Sequence, residues 1–373
     1  MEKRNLGKTG LKVSLLGFGG FHLCEIPYQK AEKLLNEYLD RGGNYIETAS
    51  SYGDGESEIK IGRAVSHRRN EFVLVTKTQD RDYENCKKSI DQSLKNLQTE
   101  SVDFLLMHAV DSIETLNMIL SENGAVKAAE EAKKAGKVKH IGISMHGQPD
   151  ILIEGIKRYE FEAVMATINY FDNCNFPTIE KELIPLANDK GIAIILMKPL
   201  GDGYLYKNVQ KAFKYAFNKP VSVVVTGINT KEMLDMDFEF AEQYTKMTNG
   251  ELEDLLLNAP ELGDYVCRQC NKCIPCPENI DIPKIFELEG IFDRQMNSGT
   301  IGDPGEYALK ERLKHWFGGE NRAKTEYSKL KIKAEKCTKC RVCMPKCPYK
   351  IDIIQKLKNV DYKLKSVKGE IWD

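Results

Sequence analysis

Eight of the 11 cysteines form two short runs near the C-terminal end of the chain. The first run reads Cys267-Arg-Gln-Cys270-Asn-Lys-Cys273-Ile-Pro-Cys276-Pro, and the second reads Cys337-Thr-Lys-Cys340-Arg-Val-Cys343-Met-Pro-Lys-Cys347-Pro. Thiolates are soft ligands that suit iron–sulfur clusters, and three of them at this spacing can wrap one corner of a cubane. The two runs therefore predict two [4Fe–4S] clusters.

The spacing of the cysteines also indicates which of them ligate each cluster. The second run matches the C-x2-C-x2-C-x3-C-P pattern of bacterial ferredoxins, whereas the first run is one residue shorter before its last cysteine. In two-cluster ferredoxins the fourth cysteine of each run ligates the other cluster. On that pattern one cluster is held by Cys267, Cys270, Cys273 and Cys347, and the other by Cys337, Cys340, Cys343 and Cys276.

Structural zinc is the alternative for the same residues, because sites of four cysteines also suit Zn²⁺. Zinc sites usually carry paired Cys-x2-Cys units rather than two triplets that each lead to a Cys-Pro, so the spacing favours clusters. Grouped cysteines of this kind indicate metal binding rather than disulfides. The N-terminal residues show no apolar segment typical of a signal peptide, and we expect a cytoplasmic protein.

Charge and hydropathy argue against two classes of partner. The net charge of -1 gives no attraction toward nucleic acid or an anionic membrane. No apolar run approaches the length of a membrane span. Because 42% of the residues are hydrophobic, the chain can form a substantial core. We expect a small-molecule substrate and neither nucleic acid nor membrane as a partner.

Most of the chain alternates between short β-branched runs and longer amphipathic stretches. The eight runs cover 13–21, 44–48, 72–77, 102–108, 139–144, 163–170, 192–199 and 222–228. Helical periodicity marks 29–41, 84–97, 113–135, 149–159 and 178–190. This alternation predicts an α/β chain with a parallel (β/α)8 TIM barrel over 1–255, in which an N-terminal β-hairpin closes the bottom.

The remaining residues, 256–373, hold both cysteine runs and three stretches of helical periodicity, at 282–288, 306–316 and 351–357. They predict a small, mainly α-helical ferredoxin-like iron–sulfur domain.

Polar residues stand where the predicted barrel strands end. Strand two ends with Glu47 and leads to Tyr52, strand three ends with Lys77, strand four ends with His108 and strand five ends with Ser144. Active sites of (β/α)8 barrels lie at the carboxyl ends of the strands. Packing alone does not explain an acid, a lysine and a histidine at successive strand ends, so the pattern predicts catalysis.

From the hairpin to the eighth strand, the chain resembles the aldo-keto reductase family. The motifs that carry the resemblance are Ile46-Glu-Thr-Ala-Ser-Ser-Tyr-Gly53, Glu56-Ser-Glu-Ile-Lys-Ile-Gly62, Val75-Thr-Lys77, Asp103-Phe-Leu-Leu-Met-His108 and Ile141-Gly-Ile-Ser144. With its cysteine runs, the chain looks like the branch of that family with a C-terminal dicluster [4Fe–4S] ferredoxin domain.

The resemblance implies hydride transfer between NAD(P)H and a carbonyl or alcohol substrate. Tyr52 would be the general acid, with a pKa lowered by the Lys77 ammonium, and Glu47 would keep Lys77 charged. A neutral His108 would donate a hydrogen bond to the substrate oxygen. The implied NAD or NADP contacts are Gly19, Gly20, Ser144, Asn169, Met197, Lys198, Leu200, Gly201, Thr226, Gly227 and Asn229.

Several positions depart from the family pattern. Glu47 stands where the family has Asp, and Met165 stands where a Gln often holds the nicotinamide amide. Met197 and Lys198 occupy the place of a stacking aromatic residue. After strand eight, where Lys or Arg often binds the 2′-phosphate, only Lys231 is nearby, so the choice between NADP and NAD stays open.

Hydride transfer moves two electrons together, whereas iron–sulfur clusters move them singly, and three functions remain open. The first is an NAD(P)-dependent reductase whose clusters tune activity or exchange electrons with a protein such as ferredoxin or flavodoxin. The second is a ferredoxin-coupled reductase with a flavin or another acceptor in the barrel. The third is a non-catalytic redox sensor with a vestigial barrel.

Overall fold

A computed structural model describes residues 1–146, 149–293 and 319–365. They fall into two compact units. The first unit comprises Met1–Asn169, Thr178–Pro199 and Ala212–Lys246, and the second comprises Tyr170–Pro177, Leu200–Lys211 and the described part of Met247–Asp373. The helix predicted at 306–316 lies outside the described residues.

The strands of the first unit form a hairpin and a closed barrel. In the hairpin, β1 (Lys3–Asn5) pairs antiparallel with β2 (Lys12–Ser14). The barrel has the order β10-β3-β4-β5-β6-β7-β8-β9, and all its pairings are parallel. Its strands are β3 (Leu16–Gly19), β4 (Tyr45–Glu47), β5 (Val73–Thr78), β6 (Val102–Met107), β7 (Val138–Met145), β8 (Ala163–Thr167), β9 (Ala193–Met197) and β10 (Val223–Gly227). The predicted (β/α)8 barrel is confirmed.

The helices between these strands are α1 (Tyr28–Asp40), α2 (Glu56–Val65), α3 (Tyr83–Leu97), α4 (Ile113–Ile119), α5 (Ala125–Lys134), α6 (Pro149–Arg158), α7 (Tyr170–Asn175), α8 (Ile184–Asp189) and α9 (Val209–Phe217). After β10 come α10 (Lys231–Glu242), α11 (Asn249–Asn258), α12 (Ile282–Asp293), α13 (Gly319–Lys329) and α14 (Ile353–Leu364). The helices predicted at 282–288 and 351–357 are confirmed by α12 and α14.

Apolar side chains fill the barrel because each strand is buried on both faces, as parallel strands covered by helices must be. Inward residues of the strands, Phe104 and Ile195 among them, form one buried cluster. Leu6 and Val13 of the hairpin belong to the same cluster. The Lys8 amide donates to the Gly191 carbonyl 2.8 Å away, just before β9 begins. The hairpin therefore closes the amino end of the barrel, as predicted.

Several predicted elements have different bounds in the structure. The single helix predicted at 113–135 is wrong, because α4 and α5 are separate helices. Gly124 directly precedes α5, and a β-carbon there would collide with backbone carbonyls of α4, so only glycine allows the chain to pass this closely. The strand predicted at 163–170 ends at Thr167, and α7 begins at Tyr170.

Helices dominate the described part of the second unit. A capping box between Thr248 and Glu251 begins α11. The Tyr327 hydroxyl of α13 donates to Asp361 of α14, 2.6 Å away, and accepts from the Ala334 amide at 3.0 Å. In the portions of the chain that the structure describes, no helix has both the length and the apolar character required to cross a bilayer.

Candidate functional site

The four residues predicted for catalysis meet at the carboxyl end of the barrel. Glu47 is the last residue of β4, Lys77 lies one residue before the end of β5, and His108 follows β6 directly. Tyr52 lies in the turn between β4 and α2. Because β4, β5 and β6 are parallel neighbours, their carboxyl ends lie side by side. The structure thus brings together residues that are far apart in the sequence.

The Lys77 side chain has an acceptor for each of its three ammonium hydrogens. Its Nζ donates to Glu47 Oε1, to the Thr48 carbonyl at 2.9 Å and to the Tyr52 hydroxyl oxygen at 2.9 Å. An ammonium has three donors and no acceptor, so this set of partners matches the charged form of lysine. Glu47, one methylene longer than the Asp of the family pattern, still reaches Lys77.

Burial shapes the ionisation of this pair. Burial lowers the pKa of Lys77 well below its usual value, and the charge of Lys198 acts in the same direction. The Glu47 carboxylate opposes both effects, because an adjacent negative charge favours the ammonium. Burial also raises the pKa of the Tyr52 phenol, with a smaller contribution from the Cys24 thiol. The lowered pKa predicted for Tyr52 is therefore wrong, because burial disfavours the phenolate. Tyr52 is therefore protonated at neutral pH.

His108 is a neutral imidazole at the same end of the barrel. Burial lowers its pKa well below the usual value, and the cations that add to the effect are Lys77, Arg81 and Lys198. A neutral imidazole keeps one N–H donor and one acceptor nitrogen. Its Nδ1 lies 3.4 Å from the Ser51 hydroxyl oxygen. The ring can therefore offer a hydrogen bond without carrying a charge.

Aromatic contacts and one arginine hold these groups in place. The Tyr52 ring packs edge to face against Phe21 at a centroid distance of 5.1 Å and against His108 at 5.8 Å. The Arg81 guanidinium donates to the carbonyls of His108 at 2.8 Å and Ala109 at 3.1 Å, which fixes the backbone after β6. The Tyr52 hydroxyl is thereby restricted in its position.

Gly19 and Gly20, two of the predicted cofactor contacts, allow close backbone approach beside this group. The Gly20 amide donates to the Glu47 carbonyl at 2.7 Å. A β-carbon on Gly20 would lie 2.8 Å from that carbonyl oxygen, and one on Gly19 would lie 2.8 Å from the Thr226 carbonyl oxygen. Larger residues would force β3 away from its neighbours on both sides.

Ser144 and Asn169 are buried and contact neighbouring strand ends. The Ser144 hydroxyl donates to the Met107 carbonyl and accepts from the Ala109 amide, both at 3.2 Å. The Asn169 amide donates to the Lys198 carbonyl at 3.1 Å. Both side chains therefore tie together the ends of adjacent strands.

Thr226, Gly227 and Asn229 lie at the end of β10 and in the loop that follows it. The Asn229 amide donates to Glu25 Oε2 at 2.9 Å. Behind the strand end, burial raises the pKa of Asp237 to about 8, while a hydrogen bond with Thr226 opposes the rise. The structure thus places an acid that is largely protonated at neutral pH against one predicted cofactor residue.

Lys231, the only cation predicted near a 2′-phosphate, has acidic partners of its own. Its ammonium contacts Asp235 and lies 2.6 Å from Glu37 Oε1. Both carboxylates raise its pKa. A 2′-phosphate would have to compete with these two carboxylates for Lys231.

The remaining predicted cofactor positions fall into two sets. Met197 is buried among the apolar side chains of the barrel interior, as is Met165, the residue at the family's Gln position. Leu200 and Gly201 belong to the second unit.

In the second unit, the thiols of the first predicted cluster influence one another electrostatically. Burial raises the pKa of Cys267 to about 11, and the thiols of Cys270 and Cys347 act in the same direction. Burial likewise raises the pKa of Cys273 to about 12, with further contributions from Cys267 and Cys270. Cys347 of the second run thus acts on a thiol of the first run.

The four thiols of the second predicted cluster line one cavity, together with Glu278 and Arg341. These thiols are Cys276, Cys337, Cys340 and Cys343. Burial raises the pKa of Cys343, and the thiols of Cys337, Cys340 and Cys276 act in the same direction. Across residues 1–146, 149–293 and 319–365, no three His, Cys, Asp or Glu side chains form a group that could hold a single metal ion.

Sequence reasoning missed three contributors to the barrel site. The Thr48 carbonyl is a backbone group, and Arg81 lies in a loop, so neither has a spacing signal. Asp237 did have a signal in the sequence, because it lies on the buried face of α10 with Leu234 and Phe238, where an apolar residue is expected. A lone acid on such a face could have been found from the sequence.

Comparisons with known proteins agree with this geometry. A family model described as "Aldo/keto reductase family" matches residues 15–257. L-galactose dehydrogenase of Arabidopsis thaliana is 32% identical over 222 residues, which cover 55% of this chain and 67% of the relative.

Solved structures share the fold. The aldo-keto reductase of Bacillus halodurans, in its holo form, is 24% identical with a TM-score of 0.56, over 68% of this chain and 94% of that chain. The aldo-keto reductase of Klebsiella pneumoniae in complex with NADPH is 19% identical with a TM-score of 0.59, over 70% of this chain and 96% of that chain. The predicted enzyme class is confirmed: the chain belongs to the aldo/keto reductase family, a family of oxidoreductases.

Proposed function

We propose that the barrel catalyses NAD(P)H-dependent interconversion of a small carbonyl compound and its alcohol, with Tyr52 as the general acid. The observation that carries the proposal is the arrangement around Lys77, whose three hydrogens go to Glu47, Thr48 and Tyr52. When bound, NAD(P)H would supply the hydride, as family membership implies.

The hydrogen bond from Lys77 determines what Tyr52 can do with its proton. Because the Tyr52 oxygen accepts from Nζ, its own O–H remains available for a substrate oxygen. As that proton leaves, the ammonium stabilises the phenolate, and Glu47 keeps the ammonium charged. The neutral His108 imidazole can hold the same substrate oxygen by a hydrogen bond, which fixes its distance from Tyr52.

The test is turnover of a panel of aldehydes and ketones with NADH and with NADPH. The wild-type chain should oxidise one or both cofactors, and Tyr52→Phe should do so far more slowly, although it should bind the cofactor as the wild type does. Tyr52→Phe activity equal to wild type would remove Tyr52 from the mechanism. Turnover with reduced ferredoxin or dithionite, but not with NAD(P)H, would favour a ferredoxin-coupled reductase instead.

We also propose that the second unit holds two [4Fe–4S] clusters. The observation that carries this proposal is the cavity lined by all four thiols of the second predicted set. In a cubane each cysteine ligates a different iron, so the four thiolates must surround a volume rather than meet at one point. The thiols that act on Cys267 likewise include one from the other run.

When bound, the clusters would move single electrons, either to a partner such as a ferredoxin or flavodoxin or within the protein. Anaerobic purification followed by analysis of iron, acid-labile sulfide and visible absorption tests the proposal. A colourless, iron-free protein that contains zinc would support the structural zinc alternative.

A further inference from the structure

The two cysteine runs share an unusual backbone conformation. In the first run, Gln269 and Asn271 flank the second cysteine and have φ of 55° and 60°. In the second run, Lys339 and Arg341 flank Cys340 and have φ of 59° and 64°. A φ in this left-handed region is uncommon for residues other than glycine. The chain therefore turns in the same way at the second cysteine of each run.

The side chains at these matched places differ in charge. The first loop carries the amides Gln269 and Asn271, whereas the second carries the cations Lys339 and Arg341. Since amide side chains are compatible with the same turn, the turn does not require a cation at either place. The fold of the loop therefore does not explain the charges of Lys339 and Arg341.

Positive charge extends over the whole second run. Residues 336–350 contain five basic side chains and no acidic one, and all five are exposed. They are Lys336, Lys339, Arg341, Lys346 and Lys350. The matching residues of the first run, 266–279, hold one acid, Glu278, one exposed cation, Lys272, and the buried Arg268. The excess of cations thus belongs to the second run alone.

These five cations are free to meet a partner. The ion pairs in this part of the described chain join Lys329 to Glu326 and Lys365 to Glu335, and none within 1–146, 149–293 and 319–365 includes any of the five. The net charge of -1 is an average over the whole chain. Charges act mainly within a Debye length, about 8 Å at physiological salt, so residues 336–350 present a positive surface to an approaching molecule.

The same cations lie beside the second set of thiols. The Cys340 thiol is exposed, with Lys339 and Arg341 as its neighbours in the chain, and Arg341 lines the cavity of that set. Val342 adds an apolar side chain that is 43% exposed. Cys270 of the first run is exposed as well, but its neighbours are neutral. Charge, rather than exposure, therefore distinguishes the second loop.

We propose that residues 336–350 are the docking surface for an acidic one-electron carrier protein, which exchanges electrons with the cluster of Cys276, Cys337, Cys340 and Cys343. The inference rests on the proposed clusters. When the carrier donates, it is oxidised by one electron and the cluster is reduced by one, and no bond forms or breaks.

Charge complementarity supports this kind of partner. Opposite charges speed the encounter of two proteins, and complexes for electron transfer are small and transient, so steering by charge matters most in them. An electron carrier also has to approach the cluster closely, unlike a nucleic acid or a membrane. The cations Lys339 and Arg341 stand next to an exposed ligand of that cluster, where close approach is needed.

The test is electron exchange between the full-length, cluster-loaded protein and an acidic flavodoxin, whose flavin absorbance is followed by anaerobic stopped flow. The flavodoxin is mixed as hydroquinone, or as semiquinone with the reduced protein if the potentials favour the reverse direction. The main variant is Lys339→Gln/Arg341→Asn, which gives the second loop the residues of the first and so suits its backbone.

At an ionic strength of about 0.01 M, the bimolecular rate constant of this variant should be lower than that of the wild type by about tenfold, because steering by charge is weakened. Towards about 1 M, the Debye length shrinks from about 30 Å to about 3 Å, so the wild-type rate constant should fall steeply. The rate constant of the variant should change less, and the two should converge.

Three controls accompany this variant. Lys284→Gln/Lys329→Gln removes two cations from α12 and α13 of the same unit, and it should keep a rate constant near that of the wild type. Lys339→Arg/Arg341→Lys keeps both charges and should keep the rate constant. Reduction by the methyl viologen radical, a small cation that needs no docking surface, should not slow in Lys339→Gln/Arg341→Asn.

Equal rate constants for wild type and Lys339→Gln/Arg341→Asn at low ionic strength would overturn the inference. So would an equal loss in Lys284→Gln/Lys329→Gln, or a loss shared with the viologen reaction. Binding of RNA or anionic vesicles that depends on Lys339 and Arg341, with unchanged electron exchange, would assign the surface to another partner.

Iron and sulfide analysis before mixing separates this failure from failure of the cluster proposal. A wild-type protein without clusters overturns both proposals. A loaded protein whose electron exchange is insensitive to Lys339 and Arg341 overturns only the docking surface.

Discussion

The Lys77 ammonium nitrogen lies 2.9 Å from the Tyr52 phenol oxygen and donates to it. Lys77 lies near the end of β5, and Tyr52 lies in the turn that follows β4. The barrel sets their distance, because β4 and β5 are adjacent parallel strands. This one hydrogen bond links the positive charge of Lys77 to the group proposed to give up a proton.

Tyr52→Phe removes that group and leaves the ring in place. We expect the rate of carbonyl reduction to fall by about 10²- to 10⁴-fold, the usual contribution of general acid catalysis. The measurement is kcat with NAD(P)H and the best carbonyl substrate, with cofactor binding by fluorescence as the control. A loss of cofactor binding, without a loss of kcat in the residual complex, would contradict the assigned role.

Glu47→Gln leaves the buried Lys77 ammonium without its carboxylate partner. Loss of one member of a buried ion pair typically costs about 3–5 kcal/mol, so the urea midpoint of the barrel should fall. Glu47→Asp is the matched variant, because it keeps the charge, and its midpoint should lie closer to wild type. Equal midpoints for Glu47→Gln and wild type would show that the pair contributes nothing to stability.

His108 should remain neutral wherever the enzyme works near neutral pH. Its pKa is well below the usual value in the folded state, so no ionisation of His108 should appear near pH 6.5 in the profile of kcat/KM. The sign for stability follows: the unfolded chain binds this proton first, so stability falls as the pH drops below about 6.5. A rate profile with a step near 6.5 that vanishes in His108→Gln would refute the neutral assignment.

Asp237 should make the barrel less stable in alkaline solution. Its pKa is raised to about 8 in the folded state, so its contribution is fully present below the unfolded pKa and is lost as the pH rises through about 8. Asp237→Asn should therefore raise the thermal midpoint at pH 9 relative to wild type. The corresponding gain in the free energy of unfolding should be on the order of a few kcal/mol. At pH 5 the gain should be much smaller; an equal gain at both pH values argues against ionisation of Asp237.

Cys343→Ser should remove one of the two clusters. The thiol lines the cavity of the second set, so iron and sulfide content should fall to about half of the wild-type value. Cys86→Ser is the matched control, because Cys86 is a buried thiol of the barrel with no role in either set. Wild-type iron content in Cys343→Ser would exclude Cys343 as a ligand.

Much of this architecture could be predicted from the sequence. Apolar residues recur with different periods in strands and in helices, so the two kinds of segment can be told apart. Eight strand-like runs that alternate with helix-like stretches leave few alternatives to a (β/α)8 barrel. The grouped cysteines are a local pattern that their spacing identified, and the motifs around Glu47, Tyr52, Lys77 and His108 are local patterns that carried the resemblance to the family. The single helix predicted at 113–135 was wrong, because the close approach at Gly124 depends on backbone contacts that periodicity does not record.

The sequence by itself determined the residue types at the strand ends and the spacing of the thiols, because both are properties of neighbouring positions. Only the tertiary structure decided how they are used. It gave Lys77 three acceptors, placed Asp237 behind Thr226 and paired the buried Lys356 with Glu289. The strength of an electrostatic interaction depends on burial and on partners that are distant in the chain. Both are set only when the strands and helices pack.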